Sequence, residues 1–128
     1  MSGRPEPRFD LDYARGRQAE LWVQDLRAAL QADRVEVKHD ERARETGNLY
    51  VEFECLKRGS YRPSGIAVTE AEAWVFVLEN PHLAVVVSTV RLKELARASW
   101  RLGYRAECQR GDHPTRGVLI PIGRLFEL

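Results

Sequence analysis

The stretch RVEVKHDERARETGNLYVEFEC, residues 34–55, carries the fold of this chain. Val35 and Val37 alternate with Glu36, Lys38 and Asp40; further on, Leu49, Val51, Phe53 and Cys55 alternate with Tyr50, Glu52 and Glu54. A period of two places alternate side chains on opposite faces of a sheet, so each run reads as a β-strand with one apolar face and one charged face. A solvated antiparallel sheet face accounts for such a charged row without any function. An antiparallel hairpin gives it another meaning. In the register that gathers the charges, Asp40 lies opposite Glu52 and Lys38 opposite Glu54, with directly opposed side chains about 4.5–5.5 Å apart at Cβ. Two carboxylates held that close repel unless a proton or cation lies between them, and one or two carboxylates are ligands suited to Mg²⁺.

Outward from this stretch, the chain is the length of one domain. Its 128 residues carry 20 basic and 19 acidic side chains, so the net charge singles out no class of partner. Local charge is more informative: Lys57, Arg58 and Arg62 crowd one segment without an acid, and arginines recur from Arg97 to Arg116. Such patches suit phosphate contact, and solvated loops look the same. Cys55 and Cys108 form no metal-ligand pattern and are expected to be thiols in a reducing compartment, hence a cytoplasmic protein. No apolar run has the roughly 20 residues of a membrane span, and the first residues lack a signal-peptide core.

Residues 1–9, with two prolines and Gly3, are expected to form a flexible N-terminal arm, and residues 10–128 a single domain. Ala19, Trp22, Val23, Leu26 and Leu30 repeat at helical spacing within 10–31 and place Glu20 at the edge of an apolar stripe. Residues 56–66, rich in Gly, Ser and Pro, read as a long loop. Thr69 and Glu72 form a capping-box pattern, so a short helix is expected from about Glu70. Trp74–Leu78 fits a strand better than a helix by its aromatic and β-branched content. The continuous apolar run Leu83–Val87 reads as a central strand covered on both faces. Ser88 or Thr89 caps a helix to about Trp100, Tyr104–Cys108 reads as a strand, and Val118–Ile122 as an edge strand because of Pro121. The expected class is α/β, a central mixed β-sheet flanked by helices.

An acid on an opening helix, followed by paired strands that each bear an acid, resembles the PD-(D/E)xK nuclease superfamily, whose small phage-type and Holliday-junction-resolvase-like members are the nearest comparison. The resemblance spans about residues 17–90 and includes the phrases Glu36-Val37-Lys38-His39-Asp40, Thr46-Gly47-Asn48 and Pro63-Ser64-Gly65-Ile66. It implies a restriction-endonuclease-like fold and a Mg²⁺- or Mn²⁺-dependent DNA nuclease. Asp40, Glu52, the Phe53 carbonyl and Glu20 are then the metal ligands, and Lys38 or Glu54 orients the attacking water. Arg42, Arg44, Lys57, Arg58 and Arg62 are the expected phosphate contacts. Two points depart from the family pattern: His39 stands where a proline precedes the Asp, and Glu54 stands where the triplet has Lys. A rival alignment takes Glu36-Val37-Lys38 as the triplet and ranks second, because Asp33 is too close for a hairpin and Asp25 lies on the helix. The alternative function is a catalytically inactive module of the same fold that binds DNA or a protein partner. A homodimer is the simplest assembly for cutting two strands.

Overall fold

The structure, a computed structural model, describes residues 17, 20, 24, 27, 31, 34–79, 83–109 and 111–126. Residues 1–9 and the apolar stripe Ala19–Leu30 lie outside these. Arg17, Glu20, Gln24 and Arg27 are helical and exposed, as the polar side of the expected helix requires.

The described chain runs β1 (Val35–His39), α1 (Ala43–Thr46), β2 (Asn48–Lys57), β3 (Ser60–Pro63), a 3₁₀ turn (Gly65–Ala67), β4 (Ala73–Glu79), β5 (Leu83–Ser88), α2 (Thr89–Arg101), β6 (Arg105–Cys108), β7 (Thr115–Pro121) and a closing 3₁₀ turn (Ile122–Phe126). The class is mixed α/β. The strands divide into two sheets, however, where one central sheet was expected. Three strands are ordered β1-β4-β5, with β1 parallel to β4 and β4 antiparallel to β5. Four antiparallel strands are ordered β3-β2-β7-β6.

The core lies where the sheets and α2 meet. Leu49 and Val51 of β2, Val118 and Ile120 of β7, Trp74, Phe76 and Leu78 of β4, and Leu92 and Leu95 of α2 are all buried in one cluster. The helix forms where the sequence placed it. Ser88 adopts extended backbone, and its side chain accepts a hydrogen bond from the Arg91 amide, satisfying one of the orphan donors of the first turn.

Several expectations are revised. β1 and β2 do not form a hairpin: α1 and Gly47, in the left-handed conformation at φ 75°, carry the chain from one sheet to the other. Residues 56–66 are not a long loop. Arg58 and Gly59 both have positive φ, as the tight turn of a two-residue hairpin requires, and join β2 to β3. The Thr69–Glu72 segment is not helical; Thr69 Oγ1 instead accepts from the Ala71 amide, a local turn that competes with helix formation. Leu83–Val87 is an edge strand of its sheet, not a central one. β7 is interior, and Pro121 is tolerated because it is the strand's last residue. No helix among the described residues is long and apolar enough to cross a membrane.

Candidate active site

The charged residues of β1 lie along Trp74. In the parallel register Glu36 pairs with Trp74 and Lys38 with Phe76, and in-register neighbours project from the same face of a sheet. Lys38 Nζ lies 5.6 Å from the centroid of the Trp74 ring and 2.9 Å from a Glu36 carboxylate oxygen. Val37, expected on the covered face, is instead 62% exposed.

Asp40 directly follows β1, and its backbone amide bonds to the Val77 carbonyl. One carboxylate oxygen accepts from the Ala43 amide at 3.2 Å, and the other from the Tyr50 amide at 2.9 Å. Asp40 thus fastens the start of α1 and the start of β2 to the end of β1. This is a backbone-capping role, not the expected one opposite Glu52; β2 faces β7 there, and Glu52 pairs with Gly117.

A bulge in β2 decides which acid faces where. Glu52 pairs with Gly117 and Glu54 with the adjacent residue Arg116, so Phe53 is an extra residue in the ladder. An inserted residue breaks the two-residue alternation and sends later side chains to the other face. Glu52 and Glu54, expected to share a face, accordingly part company. Glu54 faces α2 and forms an ion pair with Arg116 at 3.5 Å, which also pairs with Glu107 at 3.3 Å. Glu52 lies on the β1 side, where it lines two clefts that share Lys38 and Trp74.

The first of these clefts, about 580 Å³, is bounded by Glu36, Lys38, Glu52, Gly65, Glu70 and Trp74. The second, about 720 Å³, continues past Asp40, Arg42 and Tyr50 toward Glu107 and Cys108. Two close approaches shape their walls. A Cβ on Gly65, at φ +52°, meets the Glu52 carbonyl oxygen at 2.2 Å, so only glycine lets the 3₁₀ turn lie on the Glu52 backbone. A Cβ on Gly117 meets the Tyr50 ring at 2.6 Å. The Tyr50 hydroxyl, 2.7 Å from the Thr115 hydroxyl, has its pKa raised, because burial disfavours the phenolate more than this hydrogen bond stabilises it. The buried Trp74 indole nitrogen has no hydrogen-bond partner among the described residues.

The remaining expected site residues are spread out. Glu20 is exposed on its helix and lines neither cleft. Arg42 borders the larger cleft, and Arg44 is exposed on α1. Lys57, Arg58 and Arg62 are exposed around the β2–β3 hairpin and line neither cleft. The Phe53 carbonyl, expected as a metal ligand, accepts a hydrogen bond from the Ser64 amide at 2.9 Å. Trp74 and Tyr50 were not expected at the site. The strict alternation Glu36-x-Lys38-x-Asp40 was the sequence feature that marked the β1 face.

Carboxylates favour a hard cation, yet among the described residues no group of three or more His, Cys, Asp or Glu is placed to hold one. Asp40 and Glu52 border the larger cleft together, but both Asp40 oxygens and the Phe53 carbonyl already accept backbone amides, so as ligands they would have to use their remaining lone pairs. Glu36 and Glu52 border the other cleft, and among the described residues no backbone amide bonds to either carboxylate; a Mg²⁺ ion that keeps several waters needs only one or two carboxylates. Comparison with known proteins adds no assignment: no family model matches the chain, and neither a curated protein nor a solved structure is significantly similar to it.

Proposed function

We propose that this chain is a metal-dependent DNA nuclease with a restriction-endonuclease-like arrangement. In it Glu36-Val37-Lys38, not Glu52-Phe53-Glu54, plays the part of the (D/E)xK triplet. The observation that supports this most is the sharing of one cleft by Glu36, Lys38 and Glu52 above the buried Trp74. It favours the second alignment, because Glu54 faces α2 and Asp40 is a backbone cap, with the departure that the other acid, Glu52, follows the triplet in sequence instead of preceding it.

Mg²⁺ or Mn²⁺ held by Glu36 and Glu52 would supply positive charge against the phosphodiester and act as a Lewis acid. The rest falls to the chain's own groups. The Lys38 ammonium, held by Glu36, donates hydrogen bonds to a non-bridging phosphate oxygen or to the attacking water. Trp74 closes the cleft floor against bulk water, which strengthens electrostatic interactions above it. Arg42 at the mouth of the larger cleft meets the incoming phosphate chain. A positioned acid–base group contributes about 10²–10⁴-fold to rate.

Purified protein incubated with plasmid, branched and single-stranded DNA in Mg²⁺ or Mn²⁺ tests this. Glu36→Gln, Lys38→Met and Glu52→Gln are each expected to lower cleavage about 100-fold or more while leaving the circular-dichroism spectrum unchanged. Full cleavage by both Glu36→Gln and Glu52→Gln would remove the assignment. A second possibility is a non-catalytic module of the same fold, favoured by the commitment of Asp40 to the backbone. It predicts no cleavage with any metal and no calorimetric binding of Mn²⁺.

A further inference from the structure

The side of the four-stranded sheet that faces α2 carries a third cleft, of about 640 Å³, away from Glu52. Its floor is apolar, with Phe53, Ile66, Ala96 and Val118. Its helix wall presents Lys93, Arg97 and Arg101 at i, i+4 and i+8, one stripe of α2. None of these three cations has an ion pair or hydrogen-bonded side-chain partner among the described residues, whereas Arg91 on the same helix is paired with Glu94. The one acid bordering the cleft, Glu54, is partly offset by Arg116.

The cleft also has an aromatic end. Trp100 is 42% exposed and meets Phe53 edge-on at 5.2 Å. The Arg105 guanidinium, which lines an adjoining cleft that shares Phe53, Glu54 and Trp100 with this one, lies 3.4 Å from the Trp100 ring centroid and also donates to the Trp100 carbonyl. A guanidinium backed by an indole offers its outer face as a platform on which an unstacked base can lie.

We propose that this cleft binds a single-stranded polynucleotide. Lys93, Arg97 and Arg101 contact successive phosphates, and the Trp100–Arg105 stack and apolar floor receive bases. Phosphates and exposed aromatic faces occur together in single strands. A duplex keeps its bases stacked inside and has nothing to offer the apolar floor. The inference builds on the nuclease assignment by naming the form of the substrate, although binding itself needs neither metal nor cleavage. The 3₁₀ turn Gly65–Ala67 touches both sides: Gly65 borders the Glu52 cleft, and Ile66 and Ala67 border this one. A strand bound here therefore has a short route over the turn to Glu52.

The test is fluorescence anisotropy with labelled dT20, U20 and a 20-base-pair DNA duplex, in EDTA so that no cleavage occurs. Wild-type protein should bind a single strand more tightly than the duplex, and the stronger of dT20 and U20 identifies the sugar. Lys93→Gln/Arg97→Gln should lower the magnitude of the salt slope, log Kd against log salt, by about 1.4, the value for two lost phosphate contacts on a single strand. Trp100→Ala should weaken binding about 5- to 140-fold, the equivalent of one stacked base, and Trp100→Phe should restore most of it. Equal binding of duplex and single strands, or unchanged binding by both the double variant and Trp100→Ala, overturns the proposal. Absence of metal-dependent cleavage with single-strand binding intact refutes the nuclease assignment alone.

Discussion

Asp40 separates a structural role from a catalytic one. Its carboxylate accepts two backbone amide hydrogen bonds, at 3.2 Å from Ala43 and 2.9 Å from Tyr50, at a half-buried position. A hydrogen bond to a charged group is worth about 1.5–3 kcal/mol net when it cannot be replaced. Water reaches part of this site, so Asp40→Ala is expected to cost about 2–4 kcal/mol in total, comparable to losing two helix caps. At roughly 4 °C per kcal/mol for a domain of this size, the thermal midpoint falls by roughly 8–16 °C. Asp40→Asn keeps one acceptor oxygen but turns an NH₂ toward the second amide; an intermediate loss of about 1–2 kcal/mol follows. Urea denaturation followed by circular dichroism measures both, with an unchanged m-value expected. If Asp40→Ala lies within about 0.5 kcal/mol of wild type, the scatter of a neutral surface change, the capping role is wrong. Cleavage supplies the second arm. Asp40→Asn, assayed where it is folded, should retain metal-dependent activity that Glu52→Gln lacks. A folded Asp40→Asn that has lost calorimetric Mn²⁺ binding along with cleavage would make Asp40 a ligand after all.

Three further outcomes follow from the same geometry. Gly65→Ala forces a left-handed backbone on an L-residue and drives its Cβ into the Glu52 carbonyl; a loss of about 2–4 kcal/mol by urea denaturation and weaker cleavage are expected. Tyr50→Phe removes a phenol whose pKa lies above its ordinary 10.0 in the folded state. The wild-type protein should therefore lose stability as pH rises past about 10, where the unfolded chain ionises first, and the variant should lose that part of the slope in urea titrations from pH 8 to 11. Glu54→Lys completes a (D/E)xK pattern on paper but places the ammonium beside Arg116 on the α2 side. No gain in cleavage is expected, and a tenfold rise in a plasmid assay would contradict the assigned faces.

Much of the local structure was legible in the sequence. The alternation in 35–40 and 48–55 marks β1 and β2, and Ser88 followed by the apolar stripe marks α2. What the pattern could not supply was the partner of each strand. Pairing of β1 with β4 is parallel and distant in sequence, and it depends on burial of Trp74 and Phe76 rather than on any turn. The Phe53 bulge is equally silent, because residues 48–55 alternate in sequence as an unbroken strand would, and the extra residue that turns Glu54 to the other face shows only in the match to β7. The pairing of Asp40 with Glu52 assumed adjacent strands and no bulge, and both assumptions fail. The members of the site that remain, Glu36, Lys38 and Glu52, were visible as residues but not as neighbours.

The orientation of β1 shows how the cap and the cleft depend on each other. Alternation allows either face of β1 to turn toward Trp74. Turning Val37 inward would recover roughly 1–2 kcal/mol of apolar burial, given that 62% of it is now exposed. It would also turn Asp40 away from the Ala43 and Tyr50 amides, forfeiting about 2–4 kcal/mol, and lift Lys38 off the indole, forfeiting about 0.5–1 kcal/mol more. The charged face wins on this balance, against the usual preference for burying valine. The side chain that fixes the choice is Asp40, at the end of the strand. Its neighbours at two-residue spacing, Lys38 and Glu36, are then delivered to the cleft with Glu52. Asp40 thus organises the cleft by holding β1 in the orientation that presents the other two.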